Sequence, residues 1–409
     1  MPEQSTQPRI AQLADLISSS VSKLQEILSS QNAPFPSFDE DAALELPKEG
    51  ADVQDAIIDS TTELRDLLLD PVSLLLLNGA HTNRVCLQAI TRFKIAGMVP
   101  ANGQVSYASI AAKTCMSETM TRRIIQYAMM LRVFREPEPG MVAHTKASRV
   151  LANHQMNDWL SSGAEDGWPS ASRMVDALER WPKSQEPNET GFALANNTED
   201  TIANNTSDTI YEVLAKDPVR AQRFVNSMVA TTSKPEYDAV HALVKKFDNL
   251  TVIVQDLKSV VDGANEQRDK LPREVAARLS FKAHDFFEPQ TVQGDVFFLR
   301  WILHNWSDKY GVLILRALIR GLRDGSRVVI MDPLMQDRGV LPLWKEKITR
   351  IGDMTMGALL NAQERTASEW KALITKADRR FELREIIQPR DSAMALLDIR
   401  WNGPTVAQA

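Results

Sequence analysis

Four ionisable residues each close a short apolar run, and their chemistries complement one another. Asp256 follows Thr251–Gln255, Asp285 follows Phe281–His284, His304 follows Val296–Leu303, and Asp332 follows Arg327–Met331. If those runs are parallel strands, all four side chains stand at carboxyl ends, where open α/β sheets bind their ligands. An imidazole at such a place suits general-base work near neutral pH. An acid at the end of an early strand suits the hydroxyls of a ribose. Each residue also has a plainer reading. Asp256 and Asp285 could be helix N-caps, and His304, just before Asn305 and Trp306, could cap a helix through its backbone.

The elements that must position these residues are legible from periodicity. From Leu250 onward, β-branched runs alternate with helical segments: strands at 251–255, 279–283, 296–299, 327–331, 381–387 and 394–400, with helices at 310–322 and 369–377. That alternation specifies an α/β layer with a mostly parallel sheet. The chain before it is helical. Ile10, Leu13, Ile17, Val21, Leu24 and Leu28 mark an amphipathic helix that must bury its stripe on its own chain or on a partner subunit. Helices at 85–96, 107–113 and 118–131, the last with Ser117 as N-cap, precede a hairpin of 133–135 and 141–143. Helix, turn, helix and two-stranded wing make a winged helix. The expected division is an N-terminal helix and linker at 1–50, a winged-helix domain at 51–155 and an α/β domain at 156–409. Residues 196–208, rich in Asn, Thr and Asp, read as a surface loop.

Composition narrows the class. A chain of 409 residues with 44% hydrophobic and 24% charged residues is a folded protein of about two domains. No apolar run reaches the ~20 residues needed to cross a bilayer, and no basic-then-apolar leader opens the chain. Two cysteines, Cys86 and Cys115, offer neither a disulfide framework nor a metal cluster, which fits a reducing cytoplasm. With 47 basic against 53 acidic residues the net charge is −6, which disfavours nucleic acid as a partner despite Arg122 and Arg123 on the third helix.

Three segments carry a family likeness. Arg300-Trp-Ile-Leu-His-Asn-Trp-Ser-Asp308, Asn361-Ala-Gln-Glu-Arg-Thr366 and Val254-Gln-Asp-Leu257 resemble motifs of plant and fungal small-molecule O-methyltransferases. The likeness runs from about Asp52 to the C-terminus, and residues 191–195 and 218–228 resemble the fungal branch. It implies a winged-helix dimerisation part, a Rossmann-like catalytic part, a homodimer, a small polyketide-like or aromatic substrate and S-adenosylmethionine as methyl donor. By the same likeness His304 matches the catalytic base, flanked by Asp332, where the family usually has a glutamate, and by Glu364. Asp256 would hold the donor's ribose, Asp285 would lie near its adenine, and Arg300 would neighbour it. Glu364, next to Arg365, could instead form an internal ion pair. Met354, Met356, Trp344 and Phe298 are candidate pocket residues, although helical spacing suits core packing for each.

The chain departs from this pattern at one place. There is no glycine from Phe192 to Asp262, and the helical segment Met228–Asp248 joins directly to Asn249 and the strand that should come second. About thirty family-typical residues, comprising a central strand, a glycine-rich turn and a helix, are absent between Asp248 and Asn249. A lost central strand removes a ladder of hydrogen bonds, so the sheet must close up or leave a gap. Either an exon has been skipped, or the chain has abandoned the cofactor. The readings to be separated are methyl transfer with His304 as base, a cofactor-independent methyltransferase-fold pericyclase or dehydratase, and a catalytically dead paralogue or winged-helix regulator.

Overall fold

α1 (Arg9–Ser30) forms on its apolar spacing, but its stripe is divided. Leu13 and Leu28 are buried, with α1 packed on α2 (Ala51–Leu68), while Ile10 and Val21 remain exposed. Arg9 grips Glu63 through two hydrogen bonds of 2.6 and 2.7 Å. The chain itself therefore covers part of the stripe. Asp70 caps α3 (Pro71–Asn78) by accepting the N–H groups of Val72 and Ser73, with Pro71 pre-set for the first turn. The computed structural model describes residues 7–232, 246–247, 249–268, 271–389, 392 and 394–404.

The helix–turn–helix–wing pattern is present. α4 (Thr82–Arg92), α5 (Tyr107–Thr114) and α6 (Glu118–Met130) enclose Ile90, Ile110, Ile125, Phe134 and Val142. Ser117 caps α6 as expected, accepting from the N–H of Met120. The wing has one strand more than periodicity indicated. β1 (Gln104–Ser106) and β2 (Phe134–Arg135) both pair antiparallel with β3 (Met141–His144). Three residues give too little alternation to register as a strand. Arg122 lies over the Tyr107 ring, 4.4 Å from its centroid, and bonds Glu118. The Asn-rich stretch holds a short helix, Glu199–Ala203, capped by Thr198.

Two compact units result. One comprises Met1–Pro169, Asp217–Ala230 and Arg338–Arg350, and the other Ser170–Lys216, Thr231–Asp337 and Ile351–Ala409. The second carries the strands β4 (Val252–Asp256), β5 (Leu279–Ala283), β6 (Val296–Arg300), β7 (Arg327–Met335), β8 (Arg365–Thr366), β9 (Phe381–Ile387) and β10 (Met394–Trp401). β6–β7–β10–β9 form one sheet, with β8 added parallel to the end of β7. β6 runs parallel to β7, whereas β10 is antiparallel to both its neighbours. Its core joins Val328, Ile330, Leu397 and Ile399 to Leu315 and Leu318 of the helix Asp308–Leu318 and to Trp370 of the helix Ala367–Ala377.

β4 and β5 pair parallel with each other and with no other strand among the described residues. The sheet is thus in two pieces, as the missing strand led one to expect. Gln255 and Gln290 exchange reciprocal amide hydrogen bonds of 2.8 and 3.0 Å beside the break. Parallel sheets normally bury both faces, yet Ile253, Val296 and Phe298 are exposed here. The helix read at 228–248 is described only to Thr232, as part of the helix Pro218–Thr232; its remainder lies outside the described residues apart from Lys246 and Phe247.

One placement needs correction. Asp332 does not follow its strand but lies within it, opposite Ala395 of β10, because β7 continues through Pro333 to Met335. An acid followed by proline looks like the end of an apolar run, but burial against the neighbouring strands carries the ladder on.

Candidate active site

After β6 the chain turns sharply. Trp301 adopts a left-handed φ of 55°, uncommon for a bulky residue. Its N–H donates to Met331 O at 3.1 Å, and Asn305 Nδ2 donates to Trp301 O at 3.0 Å. The turn presents His304 in the short 3₁₀ segment Leu303–Asn305, buried at 7% exposure. The His304 N–H donates to Asp332 Oδ2 at 3.2 Å, and its ring Nδ1 lies 3.1 Å from Glu364 Oε1. A carboxylate at Nδ1 holds the proton there and leaves the lone pair on Nε2. That is the arrangement a general base needs.

Glu364 is itself placed from behind, its N–H donating to Asp353 Oδ1 at 2.8 Å. Glu364 and Arg365 do not pair with each other. The fully buried Arg365 donates to Leu303 O at 3.0 Å, to Trp306 O at 2.7 Å and to Asp308 Oδ1 at 3.0 Å. It clamps the backbone on both sides of His304. Sequence reasoning saw Arg365 only as a possible partner for Glu364, since nothing in its neighbours announces that it is buried. A second support comes from a distant loop. Ser307 Oγ donates to Gln185 O at 2.8 Å, the Lys309 N–H donates to Gln185 Oε1 at 2.8 Å, and Asn361 Nδ2 donates to Glu186 O at 3.2 Å.

Asp332 is wholly buried, and burial above all pushes its carboxyl up to about 7; His304 opposes the shift and Glu364 adds to it. Its hydrogen bond to His304 is made to the backbone N–H. Asp332 Oδ1, Glu364 Oε2 and Trp301 Nε1 are buried without a hydrogen-bond partner among the described residues. The Trp301 and His304 rings are 5.0 Å apart. Trp306, two residues on, packs edge-on against Phe287 at 4.8 Å and lies 6.0 Å from Tyr211.

The other expected residues stand apart from this cluster. Asp256 ends β4, exposed, with Oδ1 accepting the N–H of Leu257 at 2.7 Å. Asp285 follows β5, its Oδ1 accepting from Phe287 N–H at 2.9 Å. Arg300 ends β6, partly buried. Met354 and Phe298 are exposed rather than in a core, and the Trp344 indole donates to Asp55 at 3.0 Å. Among the described residues no group of three or more His, Cys, Asp or Glu could hold a metal ion, and no helix is long and apolar enough to cross a membrane.

Residues 238–380 match the model of the O-methyltransferase domain. The O-methyltransferase PaMT of Phomopsis amygdali is 36% identical over 424 residues, covering 96% of this chain and 97% of that protein. This chain belongs to the fungal O-methyltransferase family. Among solved structures, OxaC in complex with SAH and oxaline has a TM-score of 0.73 at 16% identity, covering 95% of this chain and all of that one. LepI in complex with SAM and a pericyclic reaction enzyme each reach 0.70, at 20% and 19% identity, again covering 95% of this chain and all of theirs. The fold is that of the S-adenosylmethionine-dependent methyltransferases. The PaMT match spans 424 positions but takes in 96% of 409 residues, about 393, so roughly thirty positions along the whole match face no residue of this chain.

Whether the residues present fit the family's methyl donor is a question of the second sheet. After Gly191 the next glycine is Gly263, inside the helix Lys258–Arg268, where an added Cβ would meet nothing within 4 Å. It is not a place of close backbone approach. Among the described residues no strand lies between β4 and β6 to carry such a turn. The residues do not fit the donor.

Proposed function

We propose that this chain is an enzyme of fungal secondary metabolism in which His304 removes the proton from a hydroxyl of a polyketide-like or aromatic small molecule. The contact that carries the proposal is Glu364 Oε1 on His304 Nδ1 at 3.1 Å. As Nε2 takes up the substrate's proton, the ring becomes an imidazolium and the carboxylate beside it stabilises the charge. Arg365 and Asp332 keep the backbone of the turn fixed while this happens. Trp301 offers aromatic surface beside the ring for an acceptor to lie against.

In the family such a base prepares an oxygen for a methyl group from S-adenosylmethionine. The residues present here do not fit that donor. The split sheet favours a second reading, a cofactor-independent rearrangement or dehydration of the kind a pericyclic reaction enzyme of this fold suggests. Incubating purified protein with a panel of phenolic and polyketide hydroxyl compounds, with and without S-adenosylmethionine, separates the two. Either product must vanish with His304→Asn; turnover undiminished in that variant refutes the role of the base.

We also propose a homodimer. Leu67, Leu68, Val72, Leu75, Leu76 and Leu77 follow one another along the end of α2 and α3, all exposed. Contiguous apolar surface of this kind marks an interaction face.

A further inference from the structure

We infer that this chain does not hold S-adenosylmethionine, and that returning one contiguous element, the strand with its turn and helix, restores binding. The inference is independent of the role proposed for His304. In open α/β sheets the ligand crevice lies where strand order reverses. Here the chain passes from β4 outward to β5 in one sheet, and from β6 through β7 to β10 and β9 in the other, so the reversal falls at the break. A nucleotide gripped at such a place needs a strand to carry a tight turn, glycine so that the backbone can approach, and a helix beginning behind it. No strand joins β4 to β6 among the described residues, and no glycine lies between Gly191 and Gly263.

The lesion is local. The sheet bearing His304 keeps its own core around Ile330, Leu397 and Trp370, and β4–β5 keep their parallel ladder. The exposed Ile253, Val296 and Phe298 beside the break are apolar surface that an added strand and helix would cover.

The test is equilibrium dialysis of the purified full chain against radiolabelled S-adenosylmethionine, with thermal melts in S-adenosylhomocysteine. The natural chain should show a cooperative melt, no saturable binding up to millimolar ligand and no shift in midpoint. A chimera with the corresponding PaMT residues inserted between Asp248 and Asn249 should bind, and ligand at about 100 times its Kd should raise its midpoint by roughly 3 °C. Saturable micromolar binding by the natural chain overturns the inference. A chimera that melts cooperatively yet binds nothing overturns the claim that this element is what is missing. Should the chimera not fold, the natural chain still decides: its Asp256→Ala and Asp285→Ala variants must melt the same with or without ligand, and a ligand shift lost on either substitution refutes the proposal.

Discussion

Replacing Asp332 by Asn should make the protein more stable above neutral pH, against the usual outcome for a buried active-site carboxylate. The carboxyl has no exposed surface and titrates near 7 rather than near 3.8, chiefly because burial penalises its charge. The unfolded chain therefore releases this proton first. Between about pH 4 and pH 7 the folded state binds more protons, so stability falls as pH rises, then levels off above about 7. A shift of about three units corresponds to ~4 kcal/mol at most. Asparagine imitates the protonated form. Its carbonyl can still accept the His304 N–H that Oδ2 now accepts at 3.2 Å, and its amide brings donors toward a site where Glu364 Oε2 lacks a partner. Imperfect satisfaction of those donors would cost ~1–3 kcal/mol, leaving a net gain of roughly 1–3 kcal/mol at pH 8.5. Urea unfolding followed by tryptophan fluorescence, in steps from pH 4.5 to 8.5, reads both quantities. A D332N protein less stable than the parent at pH 8.5, or one that keeps the parent's decline between pH 4 and 7, would show that Asp332 is not a carboxyl held above its ordinary range by burial.

Three further outcomes test the rest of the site. Glu364→Gln should lower kcat by roughly 10²-fold with little change in KM, since it removes the charge that stabilises the imidazolium but keeps the side chain's size; steady-state kinetics on any accepted hydroxyl substrate decides this, and an equal rise in KM at constant kcat counts against it. Arg365→Met should cost about 3 kcal/mol or more in urea unfolding, because it strands the buried carbonyl of Leu303 and removes the bond to the part-buried carbonyl of Trp306; a loss under 1 kcal/mol would mean the clamp is dispensable. Leu75→Ser with Leu76→Ser should convert the proposed dimer to a monomer in light scattering without lowering the monomer's own melting midpoint; an unchanged mass moves the interface elsewhere.

What the sequence disclosed follows the range of the forces involved. Strands at 279–283 and 381–387 were legible to the residue because alternation and flanking breakers are local. Ser117 was legible as a cap for the same reason. β1 escaped because three residues carry no period, and Asp332 was placed one step outside its strand because only the partner Ala395 shows that the ladder goes on. Arg365 and Gln185 escaped for a deeper cause. Each acts on backbone far along the chain, Arg365 on Leu303 and Gln185 on Ser307, and no local pattern marks a residue whose partners are chosen by the fold.

The survival of the base beside a broken sheet also has a physical cause, and it lies in β7. Trp301 donates to Met331 of that strand, His304 donates to Asp332 within it, and Glu364 immediately precedes β8, whose Arg365 pairs with Leu334 at its end. Every segment of the site hangs from β7, which keeps β6 on one side and β10 on the other. A strand absent between β4 and β6 therefore removes no neighbour of β7. Loss of β7 would have scattered His304, Glu364 and Arg365 together. On the proposed reading, proton transfer and donor binding belong to separate ladders of the same fold, so the absence of a strand between β4 and β6 among the described residues leaves the imidazole positioned.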